Sequence, residues 1–386
     1  MKRLRMGLIG PGFIAAQHIE AVRRLGDVEV VALAGSSREA ARRRASEWSV
    51  ERAYGDYREL IADPDVDVVH NTTPNHLHLE VSLAALAARK HIISDKPLSD
   101  GAGHSRALWE AARRARVAHV VTFNYRGNPL VQEARAMVSR GELGPLCYVH
   151  GQYLQDWLAD ERIHSWRLDP ARGGASCALR DIGSHWCDLA EHVTGLRIEA
   201  VLADLATVVA QREAPRAAGG TFARTTGRGR RRVRIQSEDL ATVLLRFRGG
   251  ARGYFAIGQV LPGHKNDLQL EVCGRKASVR WLQERQNELW VGRFAQPSVV
   301  LGKDPSILSA QAAPYAHLPA GHQEGWADAF RNVIADAYQW IRAGAKPQMR
   351  PAALATFADG YRSDLLVDAM LASHAAGGVW RKIPRA

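Results

Sequence analysis

The stretch Arg180–Asp188, R-D-I-G-S-H-W-C-D, holds residue types and a spacing able to move protons. Asp181 and His185 lie four apart, so on a helix they share one face about one turn from each other. A carboxylate beside an imidazole can hold one tautomer and support an imidazolium, as a general acid/base requires. A structural alternative uses the same spacing: Asp181 caps a helix starting near Ser184, and His185 is a packed histidine. Lys96, in the stretch Ser94–Leu98 (S-D-K-P-L), precedes Pro97 and so takes an extended backbone. Its ammonium is either aimed at a ligand or exposed in a turn.

These side chains need elements to position them, and the chain supplies two sets. In residues 1–123, Leu4–Ile9, Val28–Ala34, Val66–Asn71, His91–Ser94 and Val117–Phe123 read as buried strands. Helical segments alternate with them: one ending at Leu25, then Ser37–Trp48, Leu77–Arg89 and Ser105–Ala115. That rhythm predicts an α/β domain with a doubly wound parallel sheet. Between its first strand and first helix stands G-P-G-F-I-A, residues 10–15. Gly10 allows the tight turn, Gly12 lets backbone approach a pyrophosphate, Ala15 permits close helix–strand packing, and the helix N-terminus faces the anion. The motif in this context predicts a dinucleotide cofactor. NAD would favour a carboxylate at the end of the second strand, but the chain reads Ala34-Gly35-Ser36-Ser37-Arg38. Ser36, Ser37 and Arg38 tolerate a 2′-phosphate better, which tilts the expectation slightly toward NADP; Arg38 can equally stack on the adenine or face solvent. Two polar loops, at 71–78 and 94–98, follow later strands, whose carboxyl ends border the ligand crevice of such a sheet.

From Asn124 the pattern changes. Asn128–Arg140 reads as a helix, and Leu146–Tyr153, Glu199–Val209, Leu240–Phe247, Gly253–Val260, Asp267–Cys273 and Ala277–Trp281 as strands. The Gly249-Gly250 pair marks a hairpin. An α+β domain with a large, mostly antiparallel sheet is expected over residues 124–386, with further helices at Ser184–Val193, Glu324–Ile341 and Ala352–Leu371.

The 386 residues suffice for two cores, and 46% hydrophobic with 24% charged content is that of a globular chain. No apolar run approaches the ~20 residues of a membrane helix. Gly and Pro interrupt the basic N-terminal stretch too early for a signal peptide. Cys147, Cys177, Cys187 and Cys273 show no C-x-x-C and no metal-ligand spacing, and read as reduced, buried thiols of a cytoplasmic protein. The net charge of +12 is uneven, with Arg224, Arg228, Arg230, Arg231, Arg232 and Arg234 crowded into 221–236. Without interleaved aromatics or a helix-turn-helix or zinc pattern, this run reads as a solvated loop rather than a nucleic-acid site.

Together the motifs resemble those of the Gfo/Idh/MocA family of NAD(P)-dependent sugar oxidoreductases. The resemblance spans essentially the whole chain. It rests on the fingerprint at 10–15, T-P-N-H-L-H at 73–78, D-K-P at 95–97, N-Y-R at 124–126, D-I-G-S-H-W-C-D at 181–188 and G-H-Q-E-G-W at 321–326. It implies a Rossmann domain followed by an open antiparallel sheet, substrate bound between them over the nicotinamide, and a homodimer or homotetramer. Members carry Glu-Lys-Pro with a catalytic lysine, matched by Lys96, and an Asp and His four apart, matched by Asp181 and His185. Asp95 departs from the usual Glu by one methylene. The implied cofactor set is Gly10, Gly12, Phe13, Ile14, Ser36, Ser37, Arg38, Thr73, Pro74, Asn75, His78, Asp95, Lys96, Pro97, Asn124 and Arg167. The segments 153–158 and 166–167 look most like those of members acting on pyranose sugars.

Oxidising a secondary alcohol requires a base for the hydroxyl proton while hydride leaves the same carbon. His185 is the expected base, supported by Asp181, with Lys96 hydrogen-bonded to the reacting oxygen. Tyr153, Gln155, Asp156, Trp157, Arg167 and His322 are candidates to hold a sugar or cyclitol, with fold-maintaining hydrogen bonding as the alternative for each. Two competing readings remain at this level. One is a non-catalytic NAD(P)- and sugar-binding regulator of the same fold. The other is a metal-dependent hydrolase or lyase built on Asp181, His185 and Asp188, which offer at most three ligands.

Overall fold

The computed structural model describes residues 3–214 and 231–384. The chain forms two compact units, Met1–Gly127 with Trp326–Asp364, and Asn128–Gly325 with Leu365–Ala386. The first unit begins β1 (Leu4–Ile9), α1 (Phe13–Leu25), β2 (Val28–Ala34), α2 (Arg38–Glu47), β3 (Arg52–Tyr54) and α3 (Tyr57–Ala62). It continues β4 (Val68–Asn71), α4 (Asn75–Ala87), β5 (His91–Ser94), α5 (Ala102–Ala115) and β6 (His119–Val121). Its strands pair in parallel in the order β3-β2-β1-β4-β5-β6, with the switch point between β1 and β4. The strands lack polar alternation because both faces are covered. Met6, Leu8, Leu33 and Ile93 pack with α1 and α2, while Ile9, Ala32, Val69 and Ile92 pack with α3, α4 and α5. The sequence pattern missed β3 and α3, which are too short to show a period.

The second unit contains α6 (Pro129–Ser139), β7 (Leu146–Leu154), α7 (Pro170–Gly173), α8 (Ser184–Thr194), β8 (Ile198–Ala206), β9 (Gln211–Ala214) and β10 (Arg231–Arg234). Then follow β11 (Leu240–Phe247), β12 (Arg252–Gly258), β13 (Asp267–Gly274), β14 (Ala277–Leu282), β15 (Glu288–Arg293) and β16 (Val299–Gly302). With β7, β8 and β17 (Arg381–Lys382) they give a nine-stranded sheet, β16-β15-β14-β13-β7-β12-β11-β8-β17, in which only β7 and β12 run parallel. One face is apolar and covered. There Trp186 of α8 stacks on Phe255 at 4.6 Å and donates its indole N–H to Gln269 O at 2.9 Å. Beneath it Gly151 has to be glycine, because a Cβ would lie 2.0 Å from that same carbonyl.

Two expectations about this unit need correction. Arg231–Arg234 is not loop but a strand, paired antiparallel with β9; Arg224, Arg228 and Arg230 lie outside the described residues. Nor are all the thiols buried, since Cys147 is exposed and Cys273 half-buried. Among the described residues no helix is long and apolar enough to cross a membrane.

The chain then returns. Helix α9 (Trp326–Arg342) lies in the first unit, and α10 (Phe357–Ala375) starts there and ends in the second. A single cut after residue 123 makes no provision for this return. Its cause is the apolar stripe of α9, whose Phe330, Val333, Ile334, Ala337 and Ile341 join the core around Ala15, Ile19 and Val22 of α1. Of these, Phe330, Val333, Ile334 and Ile341 each contribute roughly 1.5–3 kcal/mol when fully buried.

In that core His18 and His70 are fully buried, their Nδ1 atoms 2.9 Å apart, with His70 Nε2 3.0 Å from the Tyr338 hydroxyl. Burial pushes His18 down to about 4 against the opposing pull of Asp95, and pushes His70 well below its ordinary value. Below about pH 6.5 the unfolded chain takes up protons that the fold refuses, so stability is lost as pH falls toward 4. At pH 5 His18 alone is expected to cost about 2 kcal/mol. Urea denaturation at pH 7.5 and pH 5 measures the loss, and equal stabilities at the two would contradict it.

Candidate active site

In the first unit the fingerprint turn is built as its residue types require. Gly10 has φ +90°, and a Cβ there would meet Thr73 N at 2.7 Å, so only glycine fits. A Cβ on Gly12 would meet nothing within 4 Å, which leaves room at the start of α1. The N-cap of α1 is Gly12, which has no side chain to cap the helix, and the first-turn N–H groups of a helix are oriented to receive an anion. Phe13 is exposed there and Ile14 packs toward the core. Asn124 adds a buried Nδ2 with no hydrogen-bond partner among the described residues. Open space, oriented N–H groups and an unmatched amide donor fit a dinucleotide. At the end of β2, Ser36 is exposed, Ser37 caps α2 by accepting from Ala40 N at 3.2 Å, and Arg38 donates to Glu59 at 2.7 Å.

Lys96 is half-buried in a loop held from several sides. The Lys96–Pro97 bond is cis. Asp95 N donates to Asn71 O at 2.9 Å, and the Asp95 carboxylate accepts from Thr122 Oγ1 at 2.7 Å. The carboxylate one methylene shorter than the usual Glu is thus engaged by a hydroxyl just past β6. His78 ties this loop to the preceding one: its ring nitrogens lie 2.8 Å from Pro97 O and 2.8 Å from Thr73 O. Burial pushes the His78 imidazole down, against the pull of Asp95 and of the backbone carbonyls it faces. Thr73 in turn donates its hydroxyl to Asn71 Oδ1 at 2.7 Å, and Pro74 and the buried Asn75 open α4.

In the second unit Asp181 lies in a π-helical turn, Leu179–Gly183, that runs into α8. Such turns insert an extra residue and redirect side chains. Gly183 holds the N-cap position of α8, so Asp181, two residues earlier, does not occupy it. Its two oxygens accept from Arg167 Nε at 3.2 Å and Gln259 Nε2 at 2.8 Å. His185 is buried on the first turn of α8, its ring 6.4 Å from that of Tyr153. Arg167, a candidate for both the cofactor and the sugar, belongs to this unit and pairs with Asp181. Its guanidinium sits 4.5 Å over the Trp166 ring, and its Nη1 is buried without a partner among the described residues.

Tyr153 OH and Gln155 Nε2 both donate to Asn266 Oδ1, at 2.5 and 3.1 Å, and Trp157 Nε1 donates to Gln155 Oε1 at 3.0 Å. Asp156 is held by Lys265 at 2.5 Å, which keeps its carboxyl below the ordinary range. His322 is exposed, 3.3 Å from Ala320 O. Sequence reasoning missed Gln259 and Asn266. Both flank apolar strands, Gln259 just after β12 and Asn266 just before β13, and such strand-end polar residues are the one local signal that could have marked them.

A Rossmann unit with an open fingerprint turn and a second unit with a fixed carboxylate one turn before a buried histidine define a dinucleotide-dependent oxidoreductase. The comparisons agree: the chain belongs to the GFO/IDH/MocA family. Residues 4–123 match the oxidoreductase family with NAD-binding Rossmann fold, and residues 131–280 match the GFO/IDH/MocA C-terminal domain. Levoglucosan dehydrogenase of Pseudarthrobacter phenanthrenivorans is 33% identical over 405 aligned positions, covering 100% of this chain and 99% of that one. Myo-inositol 2-dehydrogenase of Thermotoga maritima is 27% identical, covering 72% and 74%. The solved levoglucosan dehydrogenase in complex with NADH and L-sorbose superimposes with TM-score 0.87 at 30% identity, covering 99% of both chains. An inositol dehydrogenase homologue with NAD+ from Azotobacter vinelandii gives TM-score 0.87 at 27% identity, covering 99% and 97%.

Proposed function

We propose that this enzyme oxidises a secondary hydroxyl of a pyranose-type sugar, sugar derivative or cyclitol with NAD, or reduces the matching ketone. The observation that carries the reading is the hydrogen-bonding around Asp181: with both oxygens held by Arg167 and Gln259, its carboxylate is fixed one turn before His185. A carboxylate so placed favours His185 as the group that takes the hydroxyl proton. NAD supplies the hydride acceptor when bound. Lys96 donates to the reacting oxygen and stabilises its developing negative charge. Arg167 Nη1 and the Tyr153–Gln155–Asn266 cluster offer the polar contacts a polyol needs, with Trp157 as an apolar surface. Full-length similarity to levoglucosan dehydrogenase supports the substrate class. The test is a panel of anhydrosugars, pyranoses and cyclitols with NAD and NADP, followed at the nicotinamide absorbance. Failure of every polyol with both cofactors would overturn the reading.

The choice of NAD departs from the slight lean to NADP that Ser36, Ser37 and Arg38 suggested. The Glu59 carboxylate, 2.7 Å from Arg38, neutralises the one cation of that segment and repels a 2′-phosphate. Because this pair is exposed its worth is at most about 1 kcal/mol, so Glu59→Gln is expected to raise kcat/KM for NADP relative to NAD by about fivefold. An unchanged ratio would remove Glu59 from cofactor choice. The active protein is proposed as a homodimer or homotetramer in the cytoplasm.

A further inference from the structure

Sheet register places one row of side chains across the second unit: Leu244 beside Tyr254, then His150, Glu271, Arg280 and Trp290 on successive strands. Partners in register share a face. This is the face opposite the buried Val149, Phe255 and Val272, and so opposite the α8 side, where Trp186 stacks on Phe255. Cys273, two residues from Glu271, points the same way. From this arrangement we propose that His150, Glu271 and Cys273 form a binding site for a divalent transition-metal ion of the zinc type, separate from the residues assigned to catalysis.

The ligand atoms of the three residues lie within 4.8 Å of one another. His150 Nε2 is 3.9 Å from Glu271 Oε2, and Cys273 Sγ is 3.7 Å from Glu271 Oε1. Tetrahedral zinc, with nitrogen and oxygen at about 2.0 Å and sulfur at about 2.3 Å, needs ligand atoms roughly 3.3–3.8 Å apart. Shifts of about an ångström close the set. The imidazole is already oriented, with the Tyr254 ring stacked at 5.4 Å and 13° and the Tyr148 ring at 5.4 Å. A thiolate, imidazole and carboxylate select zinc or cobalt over magnesium or calcium, and three protein ligands leave the fourth position to water. On binding, the Cys273 thiol gives its proton to solvent as the sulfur–metal bond forms. The competitor is Arg280, 3.6 Å from Glu271 and substantially exposed, so its ion pair is weak and easily displaced.

The experiment is titration of the reduced full-length protein with Co2+, watching the thiolate-to-cobalt absorption band, with Zn2+ competition for affinity. The wild type should bind one Co2+ per chain with that band, and Cys273→Ser should lose it. His150→Phe, which keeps the ring stack, and Glu271→Gln should each weaken binding by at least about 100-fold, more than an outer-shell change costs. Turnover with the sugar panel should be unaffected in all three. No thiolate band in the wild type would overturn the site, as would a band kept in Cys273→Ser. Loss of the band in Cys147→Ser while Cys273→Ser keeps it would do the same; the Cys147 thiol donates to Cys273 O at 3.3 Å and is the natural control. Should Cys273→Ser fail to fold, His150→Phe and Glu271→Gln decide, and affinity equal to wild type in both overturns the site.

Discussion

Lys96→Ala is expected to cut kcat by about 10²–10⁴, the usual worth of a positioned proton-transfer or charge-stabilising group. The reasoning is local. The loop is held by the Asp95 amide on Asn71, the Asp95 carboxylate on Thr122 and the His78 ring between Pro97 O and Thr73 O. Each of these bonds is made by a neighbouring residue, so the loop keeps them when the Lys96 side chain is truncated. Cofactor affinity should therefore change far less than turnover. His185→Ala should give a loss of similar size and also flatten the limb of the pH–rate profile that reports the base. Single-turnover hydride transfer, with NAD binding followed by fluorescence, separates these effects. Near-normal turnover in both variants, cofactor still bound, would end the proposed mechanism.

Glu324→Ala should produce the largest loss of stability, about 3–5 kcal/mol, because it strands a buried cation. Lys303 and Glu324 are paired at 2.8 Å with side chains 1% and 2% exposed. Lys303 also donates to Leu318 O at 2.9 Å, and Glu324 Oε1 accepts from His317 N at 2.8 Å. Asn287 closes the arrangement, donating to Glu324 O at 2.9 Å and accepting from Glu324 N at 3.1 Å. The pair therefore anchors both ends of the segment that carries His322. Replacing both partners, Lys303→Met with Glu324→Leu, removes the stranded charge and should recover most of the loss. Urea denaturation of the single and double variants measures this. A single-variant loss under about 1 kcal/mol would show that the ion pair does not hold the segment.

Much of the fold was legible because its causes are local. The β1–α1 turn needs a positive φ at Gly10 and room at Gly12, and both requirements are written as glycines. The strands Leu4–Ile9, Val28–Ala34 and His91–Ser94 announce themselves as apolar runs bounded by turns. Lys96, Asp181 and His185 were readable as candidates through ordered motifs whose spacing a short segment can hold. Their surroundings were not. Asp181 meets Arg167 fourteen residues away and Gln259 seventy-eight away, and the π turn that carries it leaves no periodic trace. Nor does any pattern within 326–342 say that α9 rejoins the core of α1, because an amphipathic stripe specifies burial but not its partner.

The same division explains the cysteines. Spacing along the chain argued against a metal site, since His150 and Cys273 are far apart in sequence. Only the register of β7 against β13 sets His150 beside Glu271 and turns Cys273 to the same face. The sequence by itself determined the nucleotide-binding half and the identity of the acid/base candidates, because backbone sterics and apolar periodicity act over a few residues. Tertiary structure alone decided which groups fix Asp181, which thiols are exposed and which donors gather on the open sheet, because those depend on long-range packing and strand register.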